Sequence, residues 1–553
     1  GYCAHCHRTI NEDWDGSAHR QAARNPVVHD IYAGAAAELS DATRCADAGG
    51  IWADGIGPGT GAPAARCYIG SGTLPDLNLD CGGANPCDGV ATETGACADC
   101  HAPGIDGVLG GRDLLEATGL AHDEGVHCDV CHKVESVDLD DPAPGVAGKL
   151  HVLRPSEPGM TAGPFKPLTF GPFDDVLNPR MGSVQREHFH TSEICAGCHQ
   201  YEQPVLVPGE LIDATRWPSG RLPVHTTYQE LIEGPLGAAT PCQSCHMPPD
   251  PDVGNSSDLT NIFDQAQGVA AGWAREPGAV RRHTWFGPRH GEERMVELAA
   301  TIGLETSVEG DEVVVHATVT NSGPGHAIPT GEPMRHLVLL VQASCGAEAL
   351  TPTGGAVVPD YGGAQAVKTA GEDWSLWPGA EPGMVLRVVR RSGDWVDYSG
   401  FGPFGDGSFS AAQKGIPEES WSGSATITAV DGAGHVAFDR ALPDGEVAYL
   451  VRPASGLPLD GDPWSDAAGL PGFGFARVMT DAAGLRMVPH HAATDVVSDN
   501  RILPAASFTT EHRFAVGCAE PSAHATLLHR PYPLALAVER GWPMVETVME
   551  TTQ

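Results

Sequence analysis

The chain has 553 residues and a strongly acidic composition, in which Asp and Glu outnumber Lys and Arg by 71 to 33. The formal net charge of −38 excludes nucleic acid and anionic lipid as main partners, because both would be repelled. No apolar run approaches the roughly 20 residues that span a bilayer, so we expect no membrane span. The 69 Gly and 45 Pro predict long irregular connections.

The part of the chain before residue 247 carries the pattern Cys-x-x-Cys-His five times, at residues 3–7, 97–101, 128–132, 195–199 and 242–246. This pattern is the attachment signal of c-type haem. Two thiols three positions apart reach the two vinyl groups of one porphyrin, and the adjacent His lies under the iron as its proximal ligand. Zinc would require the Cys pairs to converge in twos and would leave five His unused. We therefore predict five covalent haems c.

The predicted site residues follow directly from this pattern. The thioether bonds are assigned to Cys3, Cys6, Cys97, Cys100, Cys128, Cys131, Cys195, Cys198, Cys242 and Cys245. The proximal iron ligands are assigned to His7, His101, His132, His199 and His246. Haem attachment of this kind takes place outside the cytoplasm, so we expect an exported protein, extracellular or at the cell surface, otherwise periplasmic. The opening at Gly1 without a signal peptide is what a processed mature protein would show.

The other six Cys are consistent with an oxidising compartment. Four of them fall in a Gly-, Ala- and Asp-rich insertion at about residues 36–95, where two disulfides would staple a segment with little core. These four are Cys45, Cys67, Cys81 and Cys87. Of the three possible connectivities we prefer Cys45–Cys67 with Cys81–Cys87, because nearest neighbours close the smallest loops. The last two, Cys345 and Cys518, form either one long-range disulfide or two free buried thiols.

A change in the residue pattern divides the chain into two predicted domains. Residues 1–295 read as a loop-rich, mainly α multihaem cytochrome domain, in which porphyrins replace much of the side-chain core. Residues 296–553 contain β-branched or alternating runs bounded by turn residues, which predict an all-β immunoglobulin-like sandwich. The predicted strands lie at residues 312–320, 336–344, 384–390, 425–430, 446–452, 475–480 and 511–516. Residues 533–549 read as a short helix or an edge strand.

Each haem iron needs a sixth ligand or keeps an open site. The chain has 25 His, far more than the five in the motifs, so His pairs are the leading prediction. Met would raise the potential as a ligand, but Met247 directly follows its motif His246 and cannot fold back onto the same iron. We therefore expect mostly bis-His coordination.

Several stretches resemble the multihaem c-type cytochromes related to hydroxylamine oxidoreductase and to octahaem and pentahaem reductases. They are WDGSAH at 14–19, GVHCDVCHK at 125–133, SEICAGCHQ at 192–200, TYQE at 227–230 and PCQSCHMP at 241–248. HTWFG at 283–287 and NSGPGHAIPTG at 321–331 resemble the junction between haem and β domains in exported multihaem cytochromes. The resemblance covers roughly residues 1–35 and 95–345, and it implies bis-His haems in close pairs.

This resemblance implies a set of distal ligands. They are His19, His190, His225, His283 and His326, each of which is otherwise a surface or hydrogen-bonding His. Second candidates are His29, His122, His127, His151, His188 and His290. The adjacent His490 and His491 read as a solvated pair rather than a metal site. Calcium is a secondary hypothesis at the acidic residues 76–80 or 250–252, neither of which matches an EF-hand loop.

Electron transfer is the leading functional hypothesis, because bis-His iron has no vacant site for chemistry. The chain would then be an electron conduit with no catalytic residue, exchanging electrons with other redox proteins or with copies of itself. A head-to-tail extracellular filament is one predicted assembly, since a haem attached at Cys3 needs covering by a later segment or a neighbouring subunit. The alternative is a multihaem oxidoreductase that acts on a small nitrogen or sulfur oxyanion at one open haem. A binding role centred on the β domain is the third hypothesis.

Overall fold

The computed structural model describes residues 3–5, 7–38, 43, 51–56, 63–68, 96–104, 114, 117, 119–153, 169–175, 183–207, 210–257, 275–288, 295–359, 361, 381–395, 417–442, 446–451 and 467–553. The chain forms two compact units, Gly1–Met295 and Val296–Gln553. None of the helices within these described ranges is both long enough and apolar enough to cross a bilayer.

The first unit is built from short helices joined by irregular chain. They are α1 (Arg8–Asp15), α2 (Pro26–Glu38), α3 (Ala96–His101), α4 (Gly119–Glu124), α5 (Cys128–His132), α6 (Glu193–His199), α7 (Thr227–Glu233) and α8 (Gln243–His246). Helix α2 shows why such helices start where they do. Pro26 at its first position has no N–H to satisfy, and Asn25 Oδ1 accepts hydrogen bonds from the backbone N–H groups of Val27 (3.0 Å) and Val28 (3.4 Å).

Small two-stranded sheets connect these helices. The strands are β1 (Ile51–Ile56), β2 (Pro63–Tyr68), β3 (Val134–Val137), β4 (Leu150–Val152), β5 (Thr169–Gly171), β6 (Ser183–Gln185), β7 (Tyr201–Gln203) and β8 (Leu222–His225), paired in sequence order. The buried apolar side chains lie in separate small clusters, one around Tyr32 and Leu114 and another around Val130 and Leu150. The described part of this unit therefore has several small hydrophobic cores.

The second unit consists mainly of antiparallel strands. They are β9 (Ala300–Glu309), β10 (Glu312–Asn321), β11 (His336–Cys345), β12 (Glu348–Ala349), β13 (Pro352–Gly355), β14 (Val385–Trp395), β15 (Pro417–Val430), β16 (Val436–Phe438), β17 (Glu446–Val451), β18 (Gly472–Thr480), β19 (Asp495–Asp499), β20 (Ser507–Ala515), β21 (Ser522–Arg530) and β22 (Thr547–Thr552), with α9 (Leu534–Arg540) before the last strand. One sheet has the order β13-β20-β10-β9, a second has β19-β18-β11-β21-β22 with β12 on β11, and a third has β16-β15-β14-β17.

The first two of these sheets share one hydrophobic core. Strand β10 alternates, so that Val313, Val315, Ala317 and Val319 are fully buried, and side chains of β11, β18, β20 and β21 join the same cluster. This is the pattern that two packed sheets produce, because every second residue of a strand faces the partner sheet. The third sheet has its own cluster around Leu386 and Ile427. The immunoglobulin-like topology stays a prediction.

The predicted strands of the second unit coincide with β10, β11, β14, β15, β17, β18 and β20 within a few residues, apart from longer N-terminal extensions of β15 and β20. Strands β9, β13, β16, β19 and β21 were not predicted. The terminal segment contains both structures predicted as alternatives, α9 and then β22.

The long-range disulfide is confirmed. Cys345 at the end of β11 is bonded to Cys518 after β20, with 5.9 Å between their Cα atoms and a sequence separation of 173. The alternative of two free thiols is wrong. The predicted bridges Cys45–Cys67 and Cys81–Cys87 lie outside the described side chains and stay a prediction.

Candidate haem-binding site

Four of the five Cys-x-x-Cys-His motifs lie in or directly before helical turns, in α3, α5, α6 and α8. On a helix, residues i, i+3 and i+4 lie on one face, so each turn presents two thiols and one imidazole in the same direction. The first motif begins in a 3₁₀ turn, Cys3–His5, and the backbone N–H of His7 donates to Cys3 O (3.0 Å). Cys6 lies outside the described residues.

The thiols show that the motifs are neighbours in space. Cys3 of the first motif is hydrogen-bonded to Cys128 of the third. Cys100 of the second is hydrogen-bonded to Cys198 of the fourth.

Two further contacts between motif thiols extend this cluster. Cys195 of the fourth motif is hydrogen-bonded to Cys242 of the fifth. Burial, with Cys198 nearby, raises the pKa of Cys131 to about 12, which places the third motif beside the fourth. The contacts therefore run from the first motif to the third, from the third to the fourth, and from the fourth to the second and the fifth. Such a contiguous arrangement would hold five porphyrins in one group.

The imidazoles of three motifs are held in one tautomer. His132 Nδ1 donates to Phe170 O (2.7 Å), His246 Nδ1 donates to Phe286 O (2.5 Å), and His7 Nδ1 donates to the carbonyl of Ser256. Because a carbonyl oxygen only accepts, Nδ1 carries the hydrogen and Nε2 keeps its lone pair. Metal-binding His is typically fixed in this way by a partner on its other nitrogen. The donor set fits a haem iron.

Two predicted distal ligands, His19 and His283, lie beside different motif histidines. Burial, with His101 and His246 nearby, lowers the pKa of His19 to about 4. Burial, followed by the influence of His132, lowers the pKa of His283 to about 4. Both rings are therefore neutral near neutral pH, which is the form that coordinates metal.

Trp285 lies between these two candidate ligands. Its ring makes edge contacts with His19, at 4.7 Å between centroids, and with His283, at 5.3 Å. Its backbone φ of 45° is uncommon for an aromatic residue, so the surrounding structure holds it in place. The sequence analysis assigned no role to this residue. Its signal was its place in the stretch HTWFG, two residues after His283.

The segment around Trp285 is fastened to the fifth motif. Arg281 donates to Gln243 O (2.9 Å), at the start of α8, and to Met247 O (3.1 Å), directly after its carboxyl end. The backbone N–H of Phe286 donates to His246 O (3.1 Å). Carbonyl groups at a helix end lack partners within the helix, and this strap supplies them. The strap thereby fixes where His283 and Trp285 lie.

The loop that carries His19 is fastened to the third motif. His19 O accepts from the backbone N–H of Val126 (3.0 Å), and Trp14 Nε1 donates to Val126 O (2.9 Å). Gly125 has a φ of +57°, and a Cβ there would lie 2.5 Å from His19 O, so only glycine fits this approach. His19 Nδ1 is buried with no hydrogen-bond partner among the described residues.

The remaining predicted distal ligands have different surroundings. His190 is exposed, and its Nε2 donates to Pro172 O (2.8 Å). His225 is the last residue of β8. It pairs there with Tyr201 of β7, which is close in sequence to the fourth motif. His326 belongs to the second unit, where its Nδ1 donates to Ala327 O (3.0 Å). The structure does not test the ligand roles of His225 and His326, and both stay predictions.

Among the second candidates, three have ring atoms engaged elsewhere. His29 Nε2 donates to Ala23 O (2.6 Å), His122 pairs with Asp123 (3.1 Å), and His151 contacts Ser136 Oγ (3.1 Å). His127 and His188 are buried. His290 lies outside the described residues.

The acidic and paired-His candidates for other metals differ from their predicted character. Asp250 forms an ion pair with Arg282 (3.4 Å) rather than an open carboxylate cluster, and residues 76–80 lie outside the described ranges. His490 is not a solvated loop residue, since it pairs with Glu332 (3.1 Å) and its neighbour His491 is buried. Within the described ranges, no group of three or more His, Cys, Asp or Glu is arranged to hold a metal ion.

A comparison with solved structures finds a penta-heme cytochrome c552 from Thermochromatium tepidum. The TM-score is 0.48 and the sequence identity 16%, and the alignment covers 99% of this chain and 96% of that chain. No family model matches the chain, and no curated protein matches it. With so low a similarity, the function has to be inferred from the residues of the chain itself.

Proposed function

We propose that this chain is an exported multihaem c-type cytochrome that transfers electrons through five covalently attached haems, most of them with two His ligands. The observation that carries the proposal is the state of the motif imidazoles. His7, His132 and His246 each donate Nδ1–H to a backbone carbonyl and keep the Nε2 lone pair for a metal. A dithiol site would not require this orientation. Zinc would require it as well, but within the described ranges no group of three or more His, Cys, Asp or Glu is arranged to hold such an ion.

A second imidazole close to a motif His supports bis-His coordination. The ring centroids of His19 and His199 lie 6.4 Å apart. Two metal–nitrogen bonds of about 2 Å each, together with the distance from nitrogen to centroid in each ring, sum to about 6 Å. His19 and His199 would therefore be close enough to hold one haem iron together. His283, near His132 and His7, is the equivalent candidate for the first and third motifs.

The close spacing of the motifs supports transfer rather than catalysis. A haem with two His ligands accepts and releases one electron without exchanging a ligand. The residues of the chain then serve to hold the imidazoles, exclude water and keep the groups adjacent, as the proximity of Cys100 to Cys198 and of Cys195 to Cys242 indicates.

Two measurements on the purified holoprotein test this function. Intact mass spectrometry and the pyridine haemochrome spectrum count covalent haems, and five are expected. The reduced protein is then exposed to carbon monoxide at neutral pH, and at most a small fraction of the haem is expected to bind it. Ready binding at one haem would contradict the conduit and favour the oxidoreductase. A protein without covalent haem would contradict both.

Export is part of the same proposal. The Cys345–Cys518 disulfide is typical of an oxidising compartment, which agrees with the requirement of haem attachment. The expected partners of the protein are other redox proteins or copies of itself. The head-to-tail filament is a finer proposal. Electron microscopy across salt and calcium concentrations tests it, and particles of single-chain size under all conditions would overturn it.

A further inference from the structure

Two His residues just before the fourth motif have opposite surroundings. His188 lies within a 3₁₀ turn, Glu187–Phe189, and only 7% of its surface is exposed. His190 follows that turn, is exposed to solvent, and donates its Nε2–H to Pro172 O (2.8 Å). A spacing of two residues in so tight a turn sends one ring inward and the other outward. The sequence alone makes the two equivalent, and the resemblance selected His190.

The buried ring has the hydrogen-bonding state of a metal ligand. His188 is hydrogen-bonded to the backbone of Val134, while its Nε2 is buried and has no partner among the described residues. Nε2 is therefore the ring nitrogen left for a bound group. A buried polar atom without a partner costs free energy, so its presence calls for a group that it binds.

The position of His188 places that nitrogen among the haem motifs. Val134 comes two residues after His132, the proximal candidate of the third motif. The ring of Phe189 stacks on His132, with centroids 5.5 Å apart and planes at 16°, and it contacts His188 at 4.8 Å. Helix α6, which carries the fourth motif, begins at Glu193, five residues after His188.

We propose that His188, and not His190, is an axial ligand of a haem iron and that it coordinates through Nε2. The inference rests on the proposed haem attachment and names one residue of that same site. The bond is a lone-pair donation from a neutral imidazole, so no electron or proton is transferred when it forms. His190 is assigned a surface role, in which it ties the turn to Pro172.

The test compares His188→Ala with His190→Ala in the full holoprotein. In the His188 variant, one haem per chain is expected to change from six-coordinate low-spin to high-spin or water-bound, by magnetic circular dichroism and resonance Raman spectroscopy. That variant should bind one more carbon monoxide per chain than the wild type, and added imidazole should restore the low-spin spectrum. The His190 variant should match the wild type in all three measurements.

A second substitution guards against misfolding. His188→Met supplies a thioether ligand, so the expected spectrum stays low-spin while one haem of the chain titrates at a higher potential. An unchanged coordination spectrum in His188→Ala, or a loss of low-spin haem in His190→Ala, would overturn the inference. Either result would leave the wild-type haem count at five. Failure of the proposed function would instead appear as a wild-type chain without covalent haem.

Discussion

The two units of the chain are stabilised in different ways. In the second unit, buried side chains of β9, β10, β11, β18, β20, β21 and β22 form one continuous core, in which most members are Val, Ala, Leu, Ile or Phe. In the described part of the first unit, the apolar clusters are small and separate, and motif cysteines pack against them, Cys97 against one and Cys198 against another. The second unit contains its own core, whereas the first is arranged around the Cys-x-x-Cys-His motifs.

Buried polar groups beside the haem motifs differ from a buried ion cluster of the second unit, although His491 Nδ1 and His524 Nδ1 of that unit also have no partner among the described residues. In the second unit, Asp499 is fully buried and is paired with Arg477 (2.9 Å) and Arg501 (2.8 Å), so these charges compensate one another within the protein. In the first unit, His19 Nδ1 and His188 Nε2 are buried beside the haem motifs with no partner among the described residues. Polar atoms that the fold leaves open in this way indicate where a bound group completes the structure.

The largest expected effect comes from breaking one thioether pair. Replacing Cys195 and Cys198 by Ala should remove one covalent haem and open α6, because Cys195 contacts Cys242 and Cys198 contacts Cys100. A porphyrin is larger than an aromatic side chain, which buries about 150–250 Å². At about 25 cal/mol per Å², the loss is at least about 4–6 kcal/mol, a large share of the stability of a domain. Haem counting measures the loss of the haem, and amide hydrogen exchange measures the loss of stability.

The hydrogen-exchange experiment also tests the comparison between the two units. Peptides from β10 and β11 should keep their protection in this variant, since they belong to the separate core of the second unit. Equal loss of protection in both units would show that they unfold as one, and the contrast between them would be wrong.

The next effect is confined to the second unit. Replacing Cys345 and Cys518 by Ala removes a link across 173 residues, which the chain-entropy relation values at about 5 kcal/mol. We expect lower protection in β11 and β20, with unchanged haem spectra. Denaturant unfolding followed by hydrogen exchange measures the loss. A free energy of unfolding within about 1 kcal/mol of the wild type would contradict the prediction.

A smaller effect depends on pH. His336 is buried at the start of β11, and burial, with Arg530 nearby, lowers its pKa to about 3. Below the unfolded pKa of about 6.5, only the unfolded chain takes up the proton, so stability falls between pH 6.5 and 3, by about 2 kcal/mol at pH 5. His336→Asn keeps a donor for Met334 O and cannot titrate, so local stability should depend less on pH.

The matched control for this variant is His435→Asn. His435 is exposed and pairs with Asp431 (2.9 Å) at a hairpin, so its replacement should leave the acid dependence of β11 unchanged. Hydrogen exchange of β11 peptides at pH 7 and pH 5 measures both variants. An equal fall in protection for His336→Asn and the wild type would show that other groups, such as His512, control the acid response.

The smallest expected effect concerns Trp285. Trp285→Ala removes two aromatic contacts with candidate ligands, each worth roughly 0.5–1.5 kcal/mol, and keeps the unfavourable φ, because Ala also carries a Cβ. Global stability should change little, but the low-spin electron paramagnetic resonance signals of the haems bound by His19 and His283 should shift. Trp285→Phe should preserve them.

Trp542, which packs on Tyr532 in the second unit, provides the control for this test. Trp542→Ala should cost stability there and leave the haem signals unchanged. Identical haem spectra in Trp285→Ala and the wild type would show that Trp285 contributes only ordinary packing.

The sequence by itself determined the local features of this protein. The Cys-x-x-Cys-His spacing specifies its chemistry within five residues, and a single helical turn is enough to place both thiols and the His on one side. Alternation in runs such as that of β10 predicts strands for the same reason, since a strand has its period in the sequence. Residues 300–309 and 522–530 were not predicted as strands, although β9 and β21 each begin with the same alternation between buried and more exposed residues.

Only the tertiary structure decided which distant residues meet. His188 and His190 are both candidate ligands in the sequence, and the tertiary structure buries the first and leaves the second exposed. Cys345 and Cys518 were an open pair until β11 and β20 placed them 5.9 Å apart between Cα atoms. Such choices depend on contacts between remote segments, whose energies no local pattern encodes, and the distal ligands of the haems belong to this class.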